Sequence, residues 1–468
     1  MSDQTLPVPE AEDKLDFARL APILLIVLID LLGLTIIIPL LPLYAASFGA
    51  NALQIGLITT IYPAMQFLAA PLLGSLSDRY GRKPVLIVSQ IGTFIGFIVL
   101  GFANSLLLIA ISRAIDGISG ANISAAQAAL TDSTSEKNRT QGLGLLGAAF
   151  GLGFIIGPII AFVSLAASGN NYTVPAFVAA GFSLISILLT TFMFKETLPA
   201  EQRGKTRVGH EQGITKRVLT AFRQPRLGIL FVIMFFQQLV FFGFESLITL
   251  FTLNRLGMNA SANTMLFVYV GILIVMVQGY FIGRWSRRFG ERKLVFAGLM
   301  LLGIGLILTA LTPTQPVPWY SQEAMVAEMS TTGETIQAAG GEGEAIANVA
   351  IALPDDSNTG WLGILWLLVA MIPASIGGGM LSPSINSMLT QSVPVAEVGQ
   401  TLGISASMVS GANAISPLLG GILFQTFGST APFLLGGIAL GGLALFAMQR
   451  IKPLPKETNI PQAAASIP

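Results

Sequence analysis

The chain has 468 residues, of which 53% are hydrophobic and 10% charged, and its net charge is +1. Soluble globular chains carry about 25% charged residues, so this composition excludes an ordinary water-soluble domain. With no Cys and a single His, the sequence excludes disulfides, thiolate chemistry and His-rich zinc sites, and leaves His210 as a solvated loop side chain.

Met1 to Asp16 is acidic, with Lys14 its lone base, unlike the basic start of a secretory signal peptide. The apolar run that follows is long enough to cross a bilayer and stay there. A crossing needs roughly 20 apolar residues, and twelve runs meet that need. In the first half they cover about 21–44, 53–76, 84–102, 105–131, 140–166 and 174–194. In the second they cover about 226–253, 263–284, 293–312, 361–388, 398–424 and 430–449. Their glycines and prolines are compatible with membrane helices. The pattern predicts an all-α membrane protein of twelve transmembrane helices in two six-helix bundles.

The segments between the runs set the organisation. Residues 1–20 form a tail, 21–194 the first bundle, and 226–450 the second. The basic, hydrophilic stretch 195–225 is the linker between them, and 451–468 is a second tail. Residues 313–360 form a long loop rich in Ala, Gly, Thr and Glu, with Glu323, Glu342, Asp355 and Asp356 and neither Lys nor Arg. Such a composition predicts flexibility. Lys14, Arg19, Arg79, Arg82, Lys83, Lys137, Arg139, the clusters within 195–226 and 284–293, and Arg450, Lys452 and Lys456 all fall on one side. The opposite loops hold only Arg255, and Arg113 lies within a run. Positive charge marks the cytoplasmic side, which places both termini there.

The halves are repeats. Gly74-Ser-Leu-Ser-Asp78-Arg79-Tyr-Gly81-Arg82-Lys83 is echoed at Gly283-Arg-Trp-Ser-Arg287-Arg288-Phe-Gly290-Glu291-Arg292. Gln141-Gly-Leu143-Gly144, leading to Pro158, is echoed at Gln400-Thr-Leu402-Gly403, leading to Pro417. The second pair is spaced more widely than the first, by about the length of the 313–360 insertion. Parallel six-span repeats are an architecture of secondary transporters.

Four stretches carry a family resemblance: Gly74 to Lys83, Asp30-Leu-Leu-Gly33 through Pro39 to Tyr44, Arg113-Ala-Ile-Asp116-Gly117-Ile-Ser-Gly120, and Gly153-Phe-Ile-Ile-Gly157-Pro158. Together they resemble the drug:proton antiporters of the major facilitator superfamily, of the tetracycline-exporter type. The resemblance implies alternating access around a central cavity lined by spans one, four, seven and ten. It also implies a gate at Gly74, Asp78, Arg79, Gly81 and Arg82 that holds the outward-open state. Gly153, Gly157 and Pro158 would form the antiporter-motif helix. Where the family usually has Gln, this chain has Asp116, a group able to carry a proton.

Charges at membrane depth are costly and mark candidate sites. Four fall inside the runs: Asp30, Arg113, Asp116 and Glu245. Arg113 and Asp116 share one helix face and either neutralise each other or face a cavity. Asp30, Asp116 and Arg113 are the proton-coupling candidates; the first-span signature favours Asp30, proximity to Arg113 favours Asp116, and the sequence does not decide between the two acids. Glu245 stands among Phe235, Phe236, Phe241, Phe242 and Phe244, a setting suited to a cationic or amphipathic solute. Gln237, Gln238, Asn122, Gln127, Asn386 and Gln278 are further polar cavity candidates. Gly142, Gly144, Gly147, Gly151, Gly153 and Gly157 line one helix and permit close packing. Asp78 aligns with Arg287 and Arg82 with Glu291, so the two loops are expected to differ, the first a latch and the second a basic surface anchor.

Neither a nucleotide-binding lysine motif nor an enzyme signature is present, so the chain reads as neither enzyme nor ATP-driven. The expected protein is a monomeric plasma (inner) membrane antiporter with a small-molecule substrate, protons and the lipid bilayer as partners, no cofactor and no nucleic acid. The alternatives are a proton-coupled importer of a small metabolite and a non-transporting membrane sensor or scaffold.

Overall fold

In the hydrocarbon of a bilayer no water satisfies backbone amides, and long apolar segments must close their own hydrogen bonds as helices. The computed structural model describes residues 17–120, 122–134, 139–203, 224–332, 352–394 and 398–451, and among them every regular element is helical. Most of both tails, the greater part of the linker with His210, and the middle of the insertion with Glu342 lie outside the described residues.

The first half contains α1 (Phe17–Ile37), α2 (Leu41–Ala46), α3 (Ala52–Tyr80), α4 (Arg82–Gly101), α5 (Leu106–Ser119), α6 (Asn122–Asp132), α7 (Arg139–Ala167) and α8 (Thr173–Phe192). The second contains α9 (Pro225–Leu256), α10 (Ala260–Met276), α11 (Ile282–Phe289), α12 (Glu291–Ala310), α13 (Gln322–Thr332), α14 (Leu362–Thr390), α15 (Val398–Phe427) and α16 (Ala431–Arg450). A π-helical turn at Val277–Phe281 joins α10 to α11. Among the described residues, ten helical segments are long and apolar enough to cross a membrane. The first predicted span runs on through a turn at Pro39 into α2, and the fourth is divided into α5 and α6.

Helix pairing repeats between the halves. In the first, α1 packs on α7 and α4 on α8; in the second, α9 packs on α15 and α12 on α16. The halves meet along two seams, α3 against α15 and α7 against α10. Each seam is a backbone contact. A Cβ on Gly56 would lie 2.5 Å from the Pro417 carbonyl oxygen, and one on Gly421 would lie 2.6 Å from that of Ala52. At the second seam, a Cβ on Gly271 would lie 3.0 Å from the Phe154 oxygen.

We call the face with the turns at Gly81 and Gly290 the basic face, and the opposite one the distal face. The α3–α15 contacts above fall in the distal halves of both helices. Toward the basic face, Gly74 on α3 and Gly403 on α15 have open space beside them, and Leu68 and Leu72 are 63% and 65% exposed. The halves therefore converge distally and part toward the basic face.

The insertion departs from the flexibility its composition suggests. Its described portion contains α13, and Val317, Tyr320, Met325 and Met329 are buried in the main apolar core. Met325 and Met329 are one helical turn apart, so a single turn of α13 seats both side chains.

Within the first half, Gly157 sits against Thr35 of α1, where an added Cβ would lie 2.1 Å from Oγ1. The Thr35 hydroxyl also donates to the Gly153 carbonyl at 2.9 Å. A Gly157→Val substitution overpacks this junction and is expected to destabilise the protein by about 1–3 kcal/mol. A lowered thermal unfolding midpoint in detergent checks it, with Gly181→Val, which has open space, as the mild control.

Candidate functional site

The charged residues at membrane depth fall into two separate places. The first is a polar pocket inside the first half. Arg113 Nη1 lies 3.1 Å from Asp116 Oδ2, one turn apart on α5, with both side chains buried. The guanidinium also stands over the Phe97 ring, 5.6 Å from its centroid. Asp30 of α1 and Asp116 both line a small cavity of about 30 Å³, together with Tyr62, Gln90 and Thr93. Such a space accommodates one or two waters. Gln66 Nε2 donates to the Tyr62 hydroxyl at 3.3 Å and to the Gly120 carbonyl at 2.9 Å. The second bond serves a carbonyl beside the break between α5 and α6.

The second place is a cavity of about 230 Å³ between the second half and α7. Glu245, Gln237 and Gln238 reach it from α9, Gln278 from the π-helical turn, Ser382 from α14, and Gly151 and Phe154 from α7. Gln238 donates through Nε2 to Asn413 Oδ1 at 2.9 Å and accepts at Oε1 from Gln237 Nε2 at 3.3 Å. This amide chain ties the α9 wall to α15. The phenylalanines flagged on α9 divide: Phe241 and Phe244 line the cavity, whereas Phe235 and Phe236 meet edge to face and Phe236 is exposed. Phe267 of α10 and Phe154 of α7 complete the aromatic lining. Gly378 makes room for the Phe241 ring, since a Cβ there would lie 2.7 Å from it.

The remaining polar candidates lie elsewhere. Asn386 accepts from the Ser405 hydroxyl at 3.0 Å, between α14 and α15. Gln127 is half-buried on α6 and lines neither cavity. The side chain of Asn122 and the surroundings of Gly142, Gly144 and Gly147 lie outside the described residues.

At the basic face, Gly81 has φ 105°, a conformation that suits glycine. The turn brings Arg82 into a buried position, 2.7 Å from Asp78 Oδ1 and 3.0 Å from Asp132 Oδ2. Its Nη1 also donates to the Ser77 hydroxyl at 3.0 Å. Glu196, beyond α8, accepts from the Arg82 and Lys83 backbone N–H groups at 2.9 and 3.1 Å. A carboxylate there offsets the partial positive charge of the α4 N-terminus. Arg79 stands over the Tyr80 ring at 5.3 Å, and Gly74 faces open space. In the echo, the Ser286 hydroxyl donates to Glu291 at 2.9 Å, and Ser387 and Gln391 donate to the same oxygen at 3.2 and 3.3 Å. The serine contact is thus kept in both repeats while the charge of its partner reverses. Asp132, Glu196 and Asn413 carried no sequence signal, because nothing local distinguishes them from other residues at helix ends or inside spans.

A model of the Major Facilitator Superfamily matches residues 23–353 and 338–467 of the chain. The chain belongs to this superfamily. It is 27% identical over 431 residues to the class B tetracycline resistance protein of Escherichia coli, covering 91% of this chain and 92% of that one. It is 26% identical over 453 residues to the class H protein of Pasteurella multocida, covering 95% and 98%. The crystal structure of the human organic anion transporter MFSD10 (TETRAN) has the same fold, with a TM-score of 0.62 at 22% identity, covering 92% of this chain and 99% of that one. As a member of the major facilitator superfamily the chain is an integral membrane transporter of a small molecule.

Arg82 is the buried member of its cluster, whereas Asp78 is 48% exposed. Removing one partner of a buried ion pair costs about 3–5 kcal/mol, whereas exposed pairs contribute roughly 0–1 kcal/mol. Arg82→Ala is therefore expected to lower the unfolding midpoint in detergent far more than Asp78→Asn.

Proposed function

We propose that this transporter is a proton-coupled antiporter that exports amphipathic, drug-like molecules from the cytoplasm. The observation that carries the reading is the cavity between the halves, where one carboxylate and several amides are set among phenyl rings. Glu245 attracts a cationic centre, Phe241, Phe244 and Phe154 cover an apolar body, and Gln237, Gln238 and Gln278 orient polar substituents. The lysine and arginine bias assigns the basic face and both termini to the cytoplasm. With the halves parted there, the cavity is loaded from the cytoplasmic side.

The proton is carried in the separate pocket of the first half. Asp30 and Asp116 share a space with room for water, so a proton can pass between them. Arg113 offsets the negative charge of Asp116 while the site is unprotonated. Gly153 and Gly157 set α7 directly on α1 beside this pocket, which links a change at Asp30 to the helix that walls the substrate cavity. Alternating access then requires only that proton and substrate favour opposite conformations. Asp78, half-exposed beside Arg82, serves as the conformational latch that meets the other half when the basic face closes, while the 283–293 turn anchors the membrane surface.

Cells producing the protein are expected to accumulate less tetracycline or ethidium than controls, and a protonophore is expected to abolish the difference. An importer of the symport type would instead show reduced uptake on collapse of the gradient, and a scaffold would show no change. Asp30→Asn and Asp116→Asn, made separately, are tested by proton release on substrate addition in proteoliposomes. The coupling carboxylate is the one whose loss abolishes that release. Glu245→Gln is expected to weaken transport of cations by roughly ten-fold relative to neutral substrates, the scale of one lost charge contact.

Asp78→Asn is expected to cripple transport in a protein that still folds, whereas Arg287→Ala is expected to be mild. Transport assays on purified variants matched for thermal stability make the comparison. Equal losses would reject unequal roles for the two turns.

A further inference from the structure

The insertion belongs to neither repeat, yet its described parts are built into the second half. Arg255 Nη1 donates to the Thr312 carbonyl at 2.8 Å and the Thr314 hydroxyl at 2.9 Å. The Val317 amide bonds the Leu256 carbonyl at 2.9 Å, and the Tyr320 ring fills the space left by Gly257. Tyr320 in turn donates to the Pro354 carbonyl at 2.9 Å, and the Gly360 amide donates to that of Pro316 at 2.8 Å.

From this base the Glu328 side chain of α13 reaches the first half. The partly buried carboxylate of Glu328 accepts from Asn170 Nδ2 at 3.0 Å and from the Tyr172 hydroxyl at 3.1 Å, both in the turn between α7 and α8. It also accepts from Asn259 Nδ2 at 3.4 Å, at the N-cap of α10 in the second half. Beside it the Ser261 hydroxyl of α10 donates to Asn170 Oδ1. Asn170 holds φ 63°, the one non-glycine residue with positive φ among those described. Asn is among the residue types that tolerate this conformation, and the bonds to Glu328 and Ser261 hold its side chain in place. Burial pushes the Glu328 carboxyl above its ordinary value, against the pull of these hydrogen bonds, so the contact is partly removed from water. One carboxylate thus gathers donors from both halves over the distal end of the α7–α10 seam.

We propose that α13 is a strap across the distal face and that Glu328 is its clasp, which must release Asn170 and Tyr172 each time the distal face opens. The inference rests on the transporter reading only in needing two alternating conformations. The clasp acts on their balance: its bonds to Asn170 and Tyr172 cross the seam, favour the distally closed state and break when the seam parts, whereas its bond to Asn259 stays within the second half.

Thiol labelling tests this directly, because the chain has no native cysteine. The Thr249 hydroxyl donates to the Pro39 carbonyl of the other half at 3.3 Å and is buried while the distal face is closed. In the full chain carrying Thr249→Cys, a membrane-impermeant maleimide on the distal side reports opening. Adding Glu328→Ala is expected to raise the labelling rate roughly ten-fold, the scale of a hydrogen-bonded charge lost. Tyr172→Phe, which deletes one donor and keeps the ring, is expected to raise it roughly three-fold and covers the case in which Glu328→Ala fails to fold. Asn170→Ala combined with Glu328→Ala should exceed neither single variant by much, as for residues sharing one contact. Glu323→Ala, at an exposed position on the same helix, should change nothing. Wild-type labelling rates in both Glu328→Ala and Tyr172→Phe, or fully additive effects, overturn the proposal. The assay needs neither drug nor proton gradient, so a chain that fails to export still reports on the clasp, and failure of the clasp leaves export untouched.

Discussion

Lipid leaves no backbone amide or carbonyl free to find water, and the architecture follows from that constraint. Unbroken helix is the default, and each departure from it needs a local substitute bond. The departures coincide with the polar places. The break between α5 and α6 lies beside the Asp30–Asp116 pocket, and the Gly120 carbonyl there is served by Gln66. The π-helical turn at Val277–Phe281 turns Gln278 into the larger cavity. The interruption at Pro39 exposes a carbonyl that Thr249 of the other half satisfies. Each of these three interruptions has a polar side chain serving it or a cavity adjoining it. Buried polar groups and helix distortion therefore share addresses in this molecule.

The same constraint separates the work of two kinds of contact. Between the halves, glycines let backbones touch without polar atoms to satisfy, as at Gly56, Gly271 and Gly421. Within each half, charges are held close to their partners, as for Arg113 with Asp116 and Arg82 with Asp132. Apolar contacts can part and re-form at little cost in hydrogen bonds, whereas a buried ion pair cannot. The helix seams between the halves are accordingly built largely from glycine, and the interiors of the halves from ion pairs.

Much of this was legible in the sequence, for physical reasons. Length and hydropathy mark the spans because the bilayer has a fixed thickness, and duplicated turns mark the repeats because Gly81 and Gly290 both need positive φ. Asp30, Arg113, Asp116 and Glu245 stand out because charge is rare in such surroundings. Their division between two cavities was not legible, since the expected helix positions suggested one shared space. Nor were the partners that orient them. Gln238 meets Asn413 across 175 residues, and Glu196 meets the Arg82 amide across 114. Composition misled at the insertion, where a few well-placed apolar side chains, Val317, Tyr320, Met325 and Met329, outweigh a low-complexity background.

The distal face is closed by two unlike edges. Along α3 and α15 the described residues close it by glycine packing at Gly56 and Gly421, an edge suited to act as a pivot. Along α7 and α10 it is shut by packing and by a carboxylate that gathers donors from both sides. A lid held this way does not lift evenly. Under the proposed clasp it would swing, with its pivot on one margin and its catch on the other, and the first gap would open beside the α7–α8 turn. On the export reading proposed above, a bulky solute would then leave sideways past Tyr172 rather than straight along the molecular axis, and the residues around that turn would be the last it touches.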